Sequence, residues 1–291
     1  MTTRSATATG LAAILLWSLL ALFTAASGTI PPFQLAAMTF LIGGLVGVLS
    51  WALRGQGLGI LRQPPAVWAL GVGGLFGYHA LYFAALRLAP PAEAGLICYL
   101  WPLLIVLFSG TLPGERLRGA HVIGALLGFA GVSLLLAGRG ALDLRAEHGP
   151  GYAAAFAAAF VWAGYSVLSR RFGEVPTDAV AGFCLVTAAL SLLGHLAFET
   201  TRWPADLAQW LAVLALGIGP VGAAFYVWDI GMKRGDIRLL GVASYAAPVL
   251  STLILVLVGY AEPTLVLGAA CALIVLGAIV ATVMPSRRAA A

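Results

Sequence analysis

At 291 residues, 61% hydrophobic and only 9% charged, with a mean hydropathy of +0.99, the chain has too little polar surface to coat a soluble domain and reads as an integral membrane protein. Lys and Arg number 16 against 11 Asp and Glu, giving a pI near 9.4, yet no basic helix or charge run exists to grip phosphates. That excludes nucleic acid as a partner and assigns the basic residues to the loop ends of a protein in a lipid bilayer. Cys98, Cys184 and Cys271 lie inside apolar stretches, odd in number and without CxxC spacing, so they read as small core residues and not as disulfides or metal ligands.

Apolar runs of about 20 residues, the length that crosses about 30 Å of hydrocarbon, number ten. The first, near 9–27, carries Trp17; it has no AxA-like cleavage site behind it and reads as a retained helix. The second, 32–53, opens on Pro31 and Pro32. The third, 66–88, carries Gly71, Gly73, Gly74 and Gly77, places Tyr78 and His79 near its middle, and sets Tyr82 one turn further out. The fourth, 91–112, carries Glu93 near its start and Cys98, Tyr99, Trp101 and Pro102 near its middle. The fifth, 119–138, has Gly124, Gly128 and Gly131, and the stretch from Gly138 to Gly149 is the most polar of the chain. The sixth, 150–171, carries Trp162 and Tyr165, and the seventh, 177–198, has His195 near its end. The eighth, 207–230, holds Gly217, Gly219, Gly222 and Asp229, with Lys233 a turn beyond. The ninth, 238–260, contains Ser244, Tyr245 and Pro248, and the tenth is 264–284.

The chain contains itself twice. A shift of 146 residues sets Gly71 on Gly217, Gly73 on Gly219, Arg87 on Lys233, Tyr99 on Tyr245, Pro102 on Pro248 and Gly131 on Gly277. A shift of 145 sets Trp17 on Trp162, Gly28 on Gly173 and Pro31 on Pro176. The reading is a first five-helix repeat over 1–138, a loop over 139–149 and a second repeat over 150–291, the pattern of a secondary transporter with its site between the halves. With the N-terminus cytoplasmic, that side holds Arg4, Arg54, Arg62, Arg116, Arg118, Arg170, Arg171, Lys233, Arg234, Arg238, Arg287 and Arg288, and the outer side only Arg87, Arg139, Arg145 and Arg202. The bias places both termini in the cytoplasm. An odd number of helices per half makes the repeat inverted.

Tyr and Trp ordinarily collect at the headgroup interfaces. Here Trp17, Tyr78, Tyr82, Tyr99, Trp101, Trp162, Tyr165 and Tyr245 fall at depth in several helices. Each one alone could be core packing with a backbone partner for its polar tip; as a set they point to an aromatic-lined cavity. Pro102 and Pro248 cannot donate to the carbonyls four residues back, which frees those of Cys98 and Ser244 for water, another helix or a substrate ammonium. The glycine spacings let helices approach closely and give candidate hinges in the third and eighth helices; with no strand before them and no lysine after, they are not phosphate loops. Of the ionisable residues, Asp229 and Lys233 are expected to pair near the cytoplasmic surface, and Glu93 and His195 to sit at the interface. His79 remains as the candidate for substrate contact or proton linkage.

The run from Leu88 through Leu136, with its PAEA segment, midhelix proline, GER triplet and glycine-spaced fifth helix, resembles the EamA-type signature of the drug/metabolite transporter superfamily. The second copy, from Gly235 through Val280, is a looser match, with Ala261-Glu262-Pro263 in place of the triplet. The WPL of helix four with the aromatic third helix is similar to aromatic amino-acid exporters of the YddG type. The resemblance implies an all-α protein of ten transmembrane helices in two inverted repeats. It also implies export of amino acids across a bacterial inner membrane, through a central cavity lined by helices three, four, eight and nine and faced by Tyr78, His79, Tyr82, Tyr99 and Trp101.

An intramembrane enzyme is the rival from another class, but the chain has no HExxH, GxSxG or DxxxD pattern, and no cofactor or metal motif. A channel would need a filter of repeated carbonyls or charged rings. Among transporters, a cationic-drug exporter would want a midplane Glu and a nucleotide-sugar exporter inward Lys or Arg. Neutral or zwitterionic solutes with apolar side chains, aromatic amino acids among them, fit better. In cysteine labelling from outside, the connection holding Arg139 and Arg145 is expected to react and the one holding Arg116 and Arg118 to stay unlabelled; the reverse pattern would defeat the topology.

Overall fold

In hydrocarbon no water is at hand for backbone N–H and C=O groups, so each must find its partner within the chain, and a helix supplies one at every residue. The computed structural model describes residues 1–114, 117–138, 145–259 and 262–283; Glu115, Arg116, Arg139, Ala261, Arg287 and Arg288, which the signature and the charge bias use, lie outside the described residues. Among the described residues ten helices are long and apolar enough to cross a membrane. They are α1 (Thr3–Ala26), α2 (Pro32–Leu53), α3 (Pro65–Leu88), α4 (Pro91–Ser109), α5 (Gly119–Ala137), α6 (Ala146–Phe172), α7 (Ala179–Phe198), α8 (Leu207–Arg234), α9 (Ile237–Leu257) and α10 (Leu265–Thr282). Helix α1 starts earlier than its apolar run because the Thr2 side chain accepts from Ser5 N and caps it.

The helices alternate in direction, so the N-terminus defines one face, here the terminal face, and the other is the far face. Cross-links fix both: Arg54 meets Asp178 and Thr7 Oγ1 accepts from Asp236 N on the terminal face, while Glu199 accepts from Phe33 N on the far face. Helix α2 packs on α7, α5 on α10, α1 on the terminal half of α8, and α6 on the far half of α3. The 145–146-residue shift carries this set of pairs onto itself, as an inverted repeat requires. Glycines make the closest crossings. A Cβ on Gly277 would lie 2.5 Å from the Gly124 carbonyl oxygen, and one on Gly231 would lie 2.7 Å from Gly10 Cα.

Helices α3, α4, α8 and α9 are interrupted at mirror-related places. Gly73–Gly77 in α3 and Gly219–Ala223 in α8 are π turns, 146 residues apart, a form concentrated at functional sites. In α4 the helix stops at Cys98 and resumes at Trp101; in α9 it stops at Ala243 and resumes at Ala246. The Leu103 N–H, which a continuous helix would pair within α4, instead donates to Tyr245 Oη at 3.1 Å. The expected free carbonyl at Ser244 is not found. The turn tightens there, so Ala247 N donates to the Ser244 carbonyl at 3.1 Å, and the Ser244 hydroxyl donates to Leu240 O.

The two ends of the molecule differ. On the terminal face α4 packs against α9 through their terminal halves, and the end of α8 packs on the end of α6. Among the described residues, the mirror-related elements on the far face, α4 with α9 and α3 with the end of α1, have no comparable packing. The halves meet on both faces, but these two contacts are made on the terminal face alone.

Gly277→Ala is expected to lower stability by about 1–3 kcal/mol through forced separation of α5 and α10. Gly268→Ala on the same helix, where a Cβ meets nothing within 4 Å, should be neutral; thermal unfolding in detergent compares the two. Tyr245→Phe should cost about 1–3 kcal/mol, since it strands the buried Leu103 N–H, and should leave substrate preference in counterflow unchanged.

Candidate functional site

Four indoles meet where the two repeats join. Trp17 on α1 and Trp162 on α6, equivalent under the shift of 145, lie 5.8 Å apart, edge to face. Trp101 on α4 is 6.3 Å from each, and Trp228 on α8 is 5.1 Å from Trp17 and 6.4 Å from Trp162. Trp101, Trp162 and Trp228 are buried and Trp17 half-buried. Edge-to-face and offset pairs of this kind each add about 0.5–1.5 kcal/mol to what burial supplies. Two of the indole N–H groups are spent inside the protein. Trp17 Nε1 donates to the Pro220 carbonyl in the π turn of α8 at 3.1 Å, and Trp228 Nε1 to Ser166 Oγ at 3.1 Å.

On the far side of this cluster lie the half-buried rings of α3. Tyr78 is 5.3 Å from Trp162, stacks with Tyr82 at 6.0 Å, and its hydroxyl is 3.6 Å from Cys98 Sγ on α4. His79 Nδ1 lies 2.7 Å from the Leu75 carbonyl, which can only accept, so Nδ1 carries the proton and Nε2 is left for another partner. The ring neighbours of His79 are Phe40, Tyr78, Phe83 and Phe225, at 5.0 to 6.3 Å. Tyr165 extends the wall toward the terminal face, 5.4 Å from Trp162, in room left by Gly74, where a Cβ would strike its ring. The arrangement offers ring faces to an apolar side chain or an ammonium and a few polar tips to fix orientation.

The structure thus brings together Trp17, Tyr78, His79, Tyr82, Cys98, Trp101, Trp162 and Tyr165. It sets others apart. Tyr245 is fully buried in a second core with Val106, Val132 and Val249, and its hydroxyl holds Leu103 N. Ser244 is buried beside it, and half-buried Tyr99 packs on that same core. Pro102 is buried and Pro248 half-buried, just beyond the breaks in α4 and α9. Sequence reasoning missed Trp228, Phe225, Phe40 and Pro220. The repeat itself carried a signal for two of them: the shift of 146 sets Trp228 on Tyr82 and Phe225 on His79.

The remaining ionisable groups are more buried than expected. Asp229 and Lys233 do pair, at 2.9 Å, at the terminal-face end of α8, with both side chains buried against Val175 and Thr177 of the α6–α7 connection. His195 is buried, with Nδ1 3.0 Å from Glu199 Oε2 and Nε2 2.8 Å from Thr201 Oγ1. Glu199 also accepts from Phe33 N and Gln34 N at the start of α2, at 2.9 and 3.0 Å. Glu93 is buried and hydrogen-bonded to Tyr152 Oη. No group of three His, Cys, Asp or Glu is placed to hold a metal among the described residues.

Comparison with known proteins agrees with this architecture. A protein of Ancylobacter novellus named aromatic amino acid exporter YddG is 64% identical over 288 residues, covering 99% of this chain and 100% of that one. Exporters of the same name from Salmonella typhimurium and Escherichia coli are 29% and 28% identical, each over 87% of this chain and 88% of its own. One crystal structure, 63% identical, superposes with a TM-score of 0.94 over 98% of this chain and all of its own. Residues 4–137 and again 149–283 match the EamA-like transporter family, and with both halves and ten helices accounted for, the chain belongs to that family.

Proposed function

We propose that the chain exports aromatic amino acids from the cytoplasm by alternating access, with the terminal face cytoplasmic. The observation that carries this reading is the aromatic box at the join of the repeats, closed toward the terminal face by contacts that the far face lacks. Mirror positions differ in just this sense: Tyr82, His79 and Tyr99 are half-buried, while Trp228, Phe225 and Tyr245 are buried. An inverted repeat whose halves take different conformations is what alternating access needs, because exchanging the two conformations moves the opening to the other face.

The names of the relatives supply the substrate class, and the chemistry of the box suits it, since indole and phenol walls recognise a ring by stacking and an ammonium by its charge. The basic bias supports a cytoplasmic terminal face, and the bacterial relatives support an inner membrane. The repeats run over 1–138 and 150–291, with 139–149 as the loop between them. His79 acts as a positioning group and not as an obligatory proton carrier, since its neighbours are rings and its Nδ1–H is held by Leu75 O.

Counterflow of radiolabelled amino acids in proteoliposomes tests the reading, with Trp, Phe and Tyr expected to exchange fastest. Trp101→Ala should cut that rate at least about tenfold in a folded, monodisperse protein, a loss of about 1.4 kcal/mol or more of transition-state binding. Trp203→Ala, which removes an exposed ring in the connection before α8, should leave the rate unchanged, and His79→Gln should keep counterflow while shifting preference among substrates. Wild-type rates in Trp101→Ala would move the site elsewhere.

A further inference from the structure

The pair Asp229–Lys233 takes no part in the aromatic box, yet it is the most buried opposite-charge pair on the terminal side, with side chains 3% and 6% exposed. Lys233 Nζ lies 2.9 Å from Asp229 Oδ2 and donates to the Val175 carbonyl at 2.9 Å, and Thr177 Oγ1 donates to Asp229 Oδ2 at 2.6 Å. Buried ion pairs are poor stabilisers, because desolvation offsets their attraction and apolar residues of similar volume often do as well. In a membrane helix such a pair therefore calls for a functional reason.

The pair borders a small cavity whose other walls include Tyr165, Ser169, Phe172 and Phe183. The cavity measures about 20 Å³, room for one water and not for an amino acid. Its inner wall, Tyr165, is also a wall of the aromatic box through its contact with Trp162.

The repeat shows what the cavity becomes in the other conformation. Shifting by 146 sets Asp229 on Phe83 and Lys233 on Arg87. Phe83 is half-buried beside His79 at 6.0 Å, on the far face, and Arg87 is half-exposed at the mouth. When the two repeats exchange conformations, the terminal half of α8 takes up the setting that the far half of α3 has here. Phe83 meets Phe33 of α2 at 5.2 Å and is half-buried, so the same setting leaves Asp229 half-buried and Lys233 exposed beyond it, as Arg87 is here.

We propose that Asp229 and Lys233 form a loading site on the terminal face, where an amino acid is first held as a zwitterion. Its ammonium replaces Lys233 at the Asp229 carboxylate, its carboxylate replaces Asp229 at the Lys233 ammonium, and its ring lies against Tyr165, Phe172 and Phe183. In the closed state the two residues satisfy each other, so neither charge is left buried and alone. The far mouth differs: Phe83 stands where Asp229 would and carries no charge, and the carboxylate beside Arg87, that of Glu199 at 3.6 Å, is already held by Phe33 N, Gln34 N and His195. Substrate is gripped where it is loaded and not where it is released. The inference rests on the reading that the chain carries amino acids.

The test uses membrane vesicles of both orientations, so that each face is presented to substrate in turn. On the wild-type protein, tryptamine, which lacks the carboxylate, and indole-3-propionate, which lacks the ammonium, should each compete with tryptophan at least tenfold more weakly than tryptophan itself from the terminal face. From the far face that discrimination should be less than threefold. Asp229→Asn with Lys233→Met, which removes both charges and leaves neither unpaired, should raise KM for tryptophan about tenfold from the terminal face and leave it unchanged from the far face. Equal competition by all three compounds from the terminal face, or an unchanged terminal-face KM in the folded double variant, would make the pair a static tie between α8 and the α6–α7 connection. A wild-type protein that transports no amino acid would instead remove the proposed function and this inference with it.

Discussion

Backbone groups that lose their helical partner inside a bilayer must be met by another part of the chain, and this single demand ties the breaks in the helices to the contacts between the repeats. The π turn of α8 places the Pro220 carbonyl where Trp17 of the other repeat donates to it. The break in α4 leaves the Leu103 N–H outside its own helix, and Tyr245 of the other repeat receives it. These two interruptions are thus met by an aromatic residue of the other half, while the break in α9 is closed locally by Ala247 N on the Ser244 carbonyl. The aromatic box and the structural core between the repeats have one origin, in that the polar tips needed to repair broken helices sit on large rings.

The same sequence pattern supports two environments. Trp17 and Trp162 are near-equivalent and touch, so they lie close to the pseudo-symmetry axis and keep their places whichever half is open. Away from the axis the pairs diverge: Tyr99 is half-buried while Tyr245 is fully buried and bonded. Burial of Tyr245 is stabilising only while the terminal halves of α4 and α9 are packed. The terminal face is therefore held by contacts that opening must break, and the far face has their mirror images still to form.

Helix number, repeat and inversion were legible because each rests on long-range periodicity of hydrophobic runs, which the bilayer enforces. Most of the box was legible for a related reason: Trp17, Tyr78, Trp101 and Trp162 fall near the middles of their runs, where an indole or phenol has no headgroup to reach. Trp228 was not, because depth was counted along an apolar run ending at residue 230. The helix continues to Arg234 since Asp229 and Lys233 neutralise each other and enter the protein interior. A charged pair read singly looks like a helix end; read as a pair it extends the span and lowers Trp228 into the box. The Ser244 carbonyl failed as an expectation on a local point, since the loss of one i+4 donor was repaired by a donor at i+3. Glu199 escaped notice because its partners, the Phe33 and Gln34 N–H groups, are backbone atoms 165 and 166 residues away that no side-chain pattern announces.

Two helix pairs map onto themselves when the repeats are exchanged, α2 with α7 and α5 with α10, so neither needs a new partner in the opposite conformation. The sequence fastens the first pair at both faces with residues at matching positions and different chemistry. Arg54 ends α2 and reaches Asp178 before α7 at 2.6 Å; Glu199, 145 positions later, follows α7 and reaches the N-terminus of α2. The terminal clasp is partly exposed and contributes about 0–1 kcal/mol. The far one is a buried carboxylate on two helix N–H groups and His195, and charge-assisted bonds of this kind are roughly twice as strong as neutral ones. Neither clasp touches α4, α8 or α9, three of the four helices interrupted at mirror-related places. Stiffness is thereby assigned to unbroken helices paired across the axis and compliance to the broken ones, whose partners must differ between the two states. Symmetry alone does not make that division, since α4 and α9 are mirror images too; it lies in the α2–α7 and α5–α10 contacts running along whole helices, so that they carry over on exchange, whereas α4 and α9 meet only through their terminal halves.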